Sequence, residues 1–220
     1  MSVFDLLFLA SLAGGAAALT SAVMVAASGR WAAARAILLA LVGYALLYTL
    51  AIVAVAEFTP QRTIPMGQPQ CFDDWCTAVA SASQTGALTA GGQTVAAQGR
   101  FLVVTLRVTS TAKRVSQREQ ISDVYLLDHA GRRYEISVPG QNALIDAGQS
   151  GQLLDTLIDP GASFTHTVVF DTPADDTGFA IVIAHDTFPD IAIIGDDQSL
   201  FHRPTLMRVD ATSARRSQPT

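Results

Sequence analysis

The chain has 220 residues, of which 50% are hydrophobic and 15% charged, with a formal net charge of −5. Mild acidity without clustered lysine or arginine excludes a phosphate-binding nucleic-acid surface, and the length allows one ordinary domain plus an anchor. Charge is segregated: up to Phe58 the only charged residues are Asp5, Arg30, Arg35 and Glu57, so the remaining twelve basic and seventeen acidic residues carry the whole imbalance.

Two apolar runs open the chain, at 3–27 and 36–58. Each exceeds the ~20 residues that cross a hydrocarbon core at 1.5 Å rise per residue, so residues 1–58 are predicted to be a transmembrane helical hairpin. The first run could also be a cleaved signal peptide. Its leading residues, Met-Ser-Val-Phe-Asp, are acidic where a signal peptide is basic, so an uncleaved helix is expected. The connecting stretch 28–35 holds Arg30, Trp31 and Arg35. Positive charge in a short loop places that loop in the cytoplasm, leaving the N-terminus and the C-terminal domain outside. Ala10 with Gly14, and Ser11 with Gly15, are small-xxx-small pairs. Such pairs serve close helix–helix packing, either within the hairpin or with another membrane subunit.

Residues 59–75 contain three prolines and read as an extended spacer leading into a cysteine loop. Cys71 and Cys76 are the two cysteines of the chain, and the histidines lack the paired spacing of a zinc site. In an oxidising outer compartment the pair is expected to be a disulfide, clamping a possible binding loop of Phe72, Asp73, Asp74 and Trp75.

Beyond Cys76 the periodicity changes. Leu102, Val104, Leu106 and Val108 alternate with Thr105, Arg107 and Thr109, the pattern of a half-buried strand. Residues 124–128 and 133–136 flank a Gly131 turn, as in a hairpin. Further strands are expected at 164–170, 179–184 and 200–209, with a weaker one at 77–85. Residues 142–158 read either as a long connection or as a short helix. Six or seven strands with turns between them make 76–210 an immunoglobulin-like β-sandwich, followed by a disordered tail at 211–220.

The run Gly99-Arg100-Phe101-Leu102-Val103-Val104-Thr105-Leu106-Arg107-Val108-Thr109, the hairpin Leu127-Asp128-x-x-Gly131-x-x-Tyr134, the turn Asp159-Pro160-Gly161 and the strand end Phe170-Asp171-Thr172-Pro173 resemble one family. It is the telokin-like, immunoglobulin-fold domain of unknown function found on bacterial lipoproteins and membrane proteins. The resemblance spans roughly residues 76–186. It implies the fold and carries over no catalytic residue, cofactor or metal ligand. A two-helix anchor in place of a lipobox cysteine, and the extra segment 188–209, depart from that pattern.

His166 falls on the apolar side of its strand and reads as a hydrogen-bonded core residue. The pairs Asp73-Asp74, Asp175-Asp176 and Asp196-Asp197 lack the spacing of a calcium loop and read as solvated turns. No nucleophile elbow or phosphate loop is present. The expectation is a non-enzymatic binding or scaffolding protein of the bacterial inner membrane, without cofactor, facing a protein partner in the cell envelope. The alternative is an accessory subunit, or homo-oligomer, that associates through its hairpin.

Overall fold

The computed structural model describes residues 3–72, 74–118, 123–176, 178–184, 188–210 and 212–213. It divides into two compact units. The first is Met1–Gln61 with Asp186–Pro204, and the second is Arg62–His185 with Thr205–Thr220.

The first unit is built on α1 (Val3–Ala27) and α2 (Trp31–Phe58), both long and apolar enough to cross a membrane. Gly29, at φ 79°, ends α1: its N–H donates to the Ala26 carbonyl at 2.9 Å, and that of Arg30 to Val25 at 3.2 Å. Only glycine adopts this left-handed geometry without steric cost. The turn is therefore shorter than expected. α2 begins at Trp31, not at 36, because Trp31-Ala-Ala-Ala-Arg favours helix although it is not uniformly apolar. Both arginines remain at that end. Most apolar side chains of the pair are exposed, including Leu19, Leu39, Leu47 and Leu50, the surface that helices able to cross a membrane would turn to lipid.

The second unit is a β-sandwich. One sheet runs β1 (Thr63–Ile64), β11 (Leu206–Val209), β10 (Phe179–Ala184), β6 (Asp123–Asp128), β7 (Arg133–Tyr134). The other runs β12 (Thr212–Ser213), β3 (Trp75–Ala90), β4 (Gln93–Ser110), β9 (Ser163–Thr172), with β2 (Gln70–Phe72) also paired to β3. β5 (Gln117–Arg118) and β8 (Leu157–Ile158) form a small separate ladder. Leu102, Val104, Leu106 and Val108 of β4 meet Val168 and Phe170 of β9 and Leu126 and Ile181 of the facing sheet, all fully buried. The opposite face of β4 and β9 is also covered. There Phe101 and Val169 pack with Leu144 of α3 (Val138–Asp146). Burial on both faces explains why Phe101-Leu102 and Val168-Val169-Phe170 are continuous apolar runs where alternation would otherwise be expected.

α3 is capped by Ser137, whose Oγ accepts from Gly140 N. Gly140 sits where a Cβ would come within 2.7 Å of Val169 Cγ1 and 3.2 Å of Phe101 Cε1, so the helix lies flat on the sheet. The outer edge of β9 is closed as well. Ser137 N donates to Val169 O, Gln141 Nε2 donates to Thr167 O, Thr167 N donates to Ser150 O and Gln152 N donates to Thr165 O. An edge strand satisfied in this way offers no template for further pairing.

Three expectations change. The stretch 59–75 is not a free spacer: β1 begins at Thr63 and β2 at Gln70, because Ile64 and Gln70 are buried in the sheets. Of the 200–209 strand only Leu206–Val209 forms, and residues up to Pro204 belong to the first unit. In the tail, Thr212–Ser213 pairs with Ser83–Gln84, while 211 and 214–220 lie outside the described residues.

Candidate functional site

The cysteine corner is the first candidate. Cys71 and Cys76 are opposed in the β2–β3 ladder and joined by a disulfide with an S–S distance of 2.01 Å. Phe72 and Trp75 are opposed in the next pair and stack with ring centroids 4.6 Å apart. Trp75 does not project as a loop residue. It is 4% exposed and belongs to the sandwich core, because an indole beside a buried strand face gains more from packing than from solvent. Asp74 is likewise engaged: its carbonyl accepts from Thr111 N and Ala112 N, and its carboxylate from Gln117 Nε2 at 2.8 Å. Asp73 lies outside the described residues. The corner is therefore a structural clamp, with Phe72 half-buried and the Cys71 side exposed.

The β6–β7 hairpin gathers a charged cluster. Asp128 accepts from Ala130 N (2.8 Å), Arg132 N (2.9 Å), Arg132 Nε (2.5 Å) and Tyr134 OH (3.1 Å). Removal from water pushes its carboxyl up, but the hydrogen bonds from Arg132, Ala130 and Tyr134 outweigh this and hold it down to about 2. Gly131 (φ 77°) closes the turn, so Asp128, Gly131 and Tyr134 of the Leu-Asp-x-x-Gly-x-x-Tyr motif each have a structural task. Asp176, which sequence spacing does not connect to this hairpin, comes within 3.5 Å of both Arg132 and His129. These residues with Asp175 and Gly178 line a shallow polar depression. Next to β7, a second cleft is lined by residues of 133–139, 171–174 and Gln98–Gly99. Its Asp171 carboxylate is spent on Gln98 N and Gly99 N, and Arg133 is held by Asp123 and Glu135 over the Tyr125 ring.

His166 has the role its phase suggested. It is 8% exposed, its Nδ1–H donates to the Gln152 carbonyl at 2.7 Å, and burial pushes its pKa down, partly offset by that bond. It ties the 150–152 segment to β9. The structure does not bring it together with the other histidines among the described residues, and no group of three or more His, Cys, Asp or Glu there could hold a metal.

The first unit carries a cavity of its own. Between α1 and α2 lies an apolar groove of about 500 Å³, lined by Leu7, Gly14, Gly15, Ala18, Ile37 and Leu41 among others. Gly14 and Gly15 of α1 do not close onto α2: a Cβ on Gly14 would meet nothing within 4 Å, and one on Gly15 only Leu41 at 4.0 Å. Ser11 and Tyr44 share a 2.5 Å hydrogen bond at its edge.

No protein-family model matches the chain, and no curated protein matches it. Solved structures similar to it are of distant sequence. A secreted protein of Mycobacterium tuberculosis is 16% identical over 56% of this chain and 89% of its own, with a TM-score of 0.40. An uncharacterised β-sandwich protein of Clostridium difficile is 10% identical over 68% and 95%, with a TM-score of 0.39. The yjhA protein of Bacillus subtilis is 12% identical over 66% and 98%, with a TM-score of 0.42.

Proposed function

We propose that this chain is a membrane-anchored, non-enzymatic β-sandwich protein of the bacterial cell envelope, with its hairpin in the inner membrane and both chain ends outside. The observation that carries this reading is the Cys71–Cys76 disulfide, thirteen residues beyond the end of α2. Stable disulfides belong to oxidising compartments, and the Arg30 and Arg35 end of the hairpin independently favours the same orientation. The sandwich is a docking module for an envelope protein. Its ionisable groups hold turns and edges together, as Asp128, Asp171 and His166 do. Affinity capture with the full chain in mild detergent tests this: retention of one envelope protein, lost when exposed residues of the sandwich are altered, supports it. Turnover of an envelope substrate by the purified chain would contradict the non-enzymatic part.

The open groove favours a second reading, an accessory subunit that associates through the hairpin. In lipid, helices associate by close packing at small residues, and Gly14 leaves such a surface uncovered. Gly14→Leu would abolish co-purification of a membrane partner under this reading, and leave it intact under the first.

A further inference from the structure

The segment 188–203, between β10 and β11, inverts the usual pattern of a surface loop. Its exposed residues are Phe188, Pro189, Gly195, Leu200, Phe201 and Arg203, while Asp190, Asp196, Asp197, Gln198 and Ser199 are half-buried or buried. Phe188 is 68% exposed, Phe201 66% and Leu200 51%. A water-facing loop turns its carboxylates out and its aromatic rings in; this one does the reverse.

Its backbone is self-contained. Ala192 N donates to Pro189 O, Ile193 N to Asp190 O, Ser199 N to Asp196 O, Leu200 N to Ile191 O, and His202 N to Ser199 O, at 2.9–3.1 Å. The Ala192 carbonyl is taken by Tyr48 OH at 3.0 Å. Non-helical backbone survives near hydrocarbon only when its polar groups are satisfied by protein, and these bonds satisfy several of them.

The segment also lies at membrane depth. Residues 36–56, between Arg35 and Glu57, span about 32 Å at 1.5 Å per residue, close to the ~30 Å hydrocarbon core. Tyr48 stands nine residues, about 13 Å, inside Glu57. The Phe188 ring packs edge-on against Phe8 at 5.8 Å, and Gly195 faces Val55 and Phe4. Ile193 and Ile194 are buried, facing away from solvent. Finally, Phe201 has φ 68°, a left-handed conformation that a bulky side chain avoids. A turn needing only that geometry would use glycine or asparagine, so the ring itself matters.

We propose that residues 188–201 form an interfacial loop that inserts Phe188, Leu200 and Phe201 into the outer leaflet beside the hairpin, its ligand the glycerol–acyl boundary of the bilayer. The loop makes a third membrane contact for a chain that otherwise crosses twice. This rests on the membrane reading of α1 and α2 given above.

The test uses the full chain in phospholipid vesicles. Both native cysteines are joined to each other, so single variants Phe188→Cys, Leu200→Cys and Phe201→Cys each offer one thiol for a polarity-sensitive fluorophore. Leu47→Cys, in α2, serves as the bilayer reference. Brominated phospholipid should quench the three loop positions by about two-fold or more, with blue-shifted emission, as for groups seated ~5–10 Å into the interface. Emission like that of the dye in water at all three, with Leu47 quenched, would overturn the loop and leave the anchor standing. An unquenched Leu47 would overturn both. Blue-shifted but unquenched loop positions would mean that protein, not lipid, covers them, which also overturns the proposal.

Discussion

The two units of this molecule use the same residue types to opposite ends. In the sandwich, Phe170, Leu102 and Ile181 have no exposed surface, and polar groups such as Asp128, Gln141 and His166 are bonded to a turn or a strand edge. In the hairpin, Leu39, Leu47 and Leu50 are 72%, 69% and 62% exposed, and few side chains are buried. Removal from water drives the first arrangement. Between helices in lipid that drive would be absent, so apolar side chains of such a hairpin need not be removed from their surroundings, and a groove is left at Gly14. A leucine is therefore a core residue in one unit and a solvent-facing residue in the other.

Equal truncations should separate the units most sharply. Phe170→Ala is expected to destabilise the sandwich by ~3–5 kcal/mol, as large buried side chains do, in denaturant titration of the full chain in micelles. Leu47→Ala should stay within about 0.5 kcal/mol, since no packed neighbour is lost. Equal effects would erase the distinction.

Glycines sharpen it next. Gly151 has φ 72°, and a Cβ there would lie 2.2 Å from Thr165 O; Gly151→Ala should cost about 1–3 kcal/mol. Gly14→Ala, inside α1 with open space beside it, should be neutral or gain up to ~1 kcal/mol through helix propensity. Replacing both Cys71 and Cys76 by serine should cost ~1–3 kcal/mol, because so short a loop gains little from closure. The sandwich should still fold.

Smaller effects come from single polar contacts. Tyr134→Phe removes the hydroxyl from Asp128 and should cost about 0.5–1.5 kcal/mol. The Asp128 carboxyl, at about 2, is depressed from the ordinary ~3.9, so its contribution is present above pH ~4 and fades as pH falls toward 2. His166 acts at higher pH. Its folded value lies below the ordinary ~6.5, so the unfolded chain takes up a proton first and stability falls as pH drops below about 6.5. His166→Gln should remove that upper limb and leave the acid limb, read by thermal unfolding across pH.

Legibility in the sequence followed the physics of each region. Uninterrupted apolar runs and strict alternation announced α1, α2 and the core face of β4. β3 was faint because Trp75–Ala90 is largely alanine, serine and threonine, with register shifts at 79/81 and 85/87 that break the period. α3 was hidden because a nine-residue helix with Pro139 and Gly140 in its first turn has little periodicity to show. The disulfide was legible from two cysteines in a segment that the charge pattern predicts to face outward. The burial of Trp75 was not, since a four-residue insert between cysteines looks like a displayed loop until its strand pairing is known. The Asp128–Arg132–Asp176 grouping required the third dimension, and so did the inside-out segment 188–203, whose apolar residues resemble a strand in sequence.

The orientation of the chain can be read at Cys71. In spheroplasts treated with a membrane-impermeant maleimide, the untouched protein should take no tag. After an impermeant reductant it should be tagged at Cys71, on the exposed side of the disulfide. Tagging before reduction, or tagging that appears only after lysis, would contradict the account.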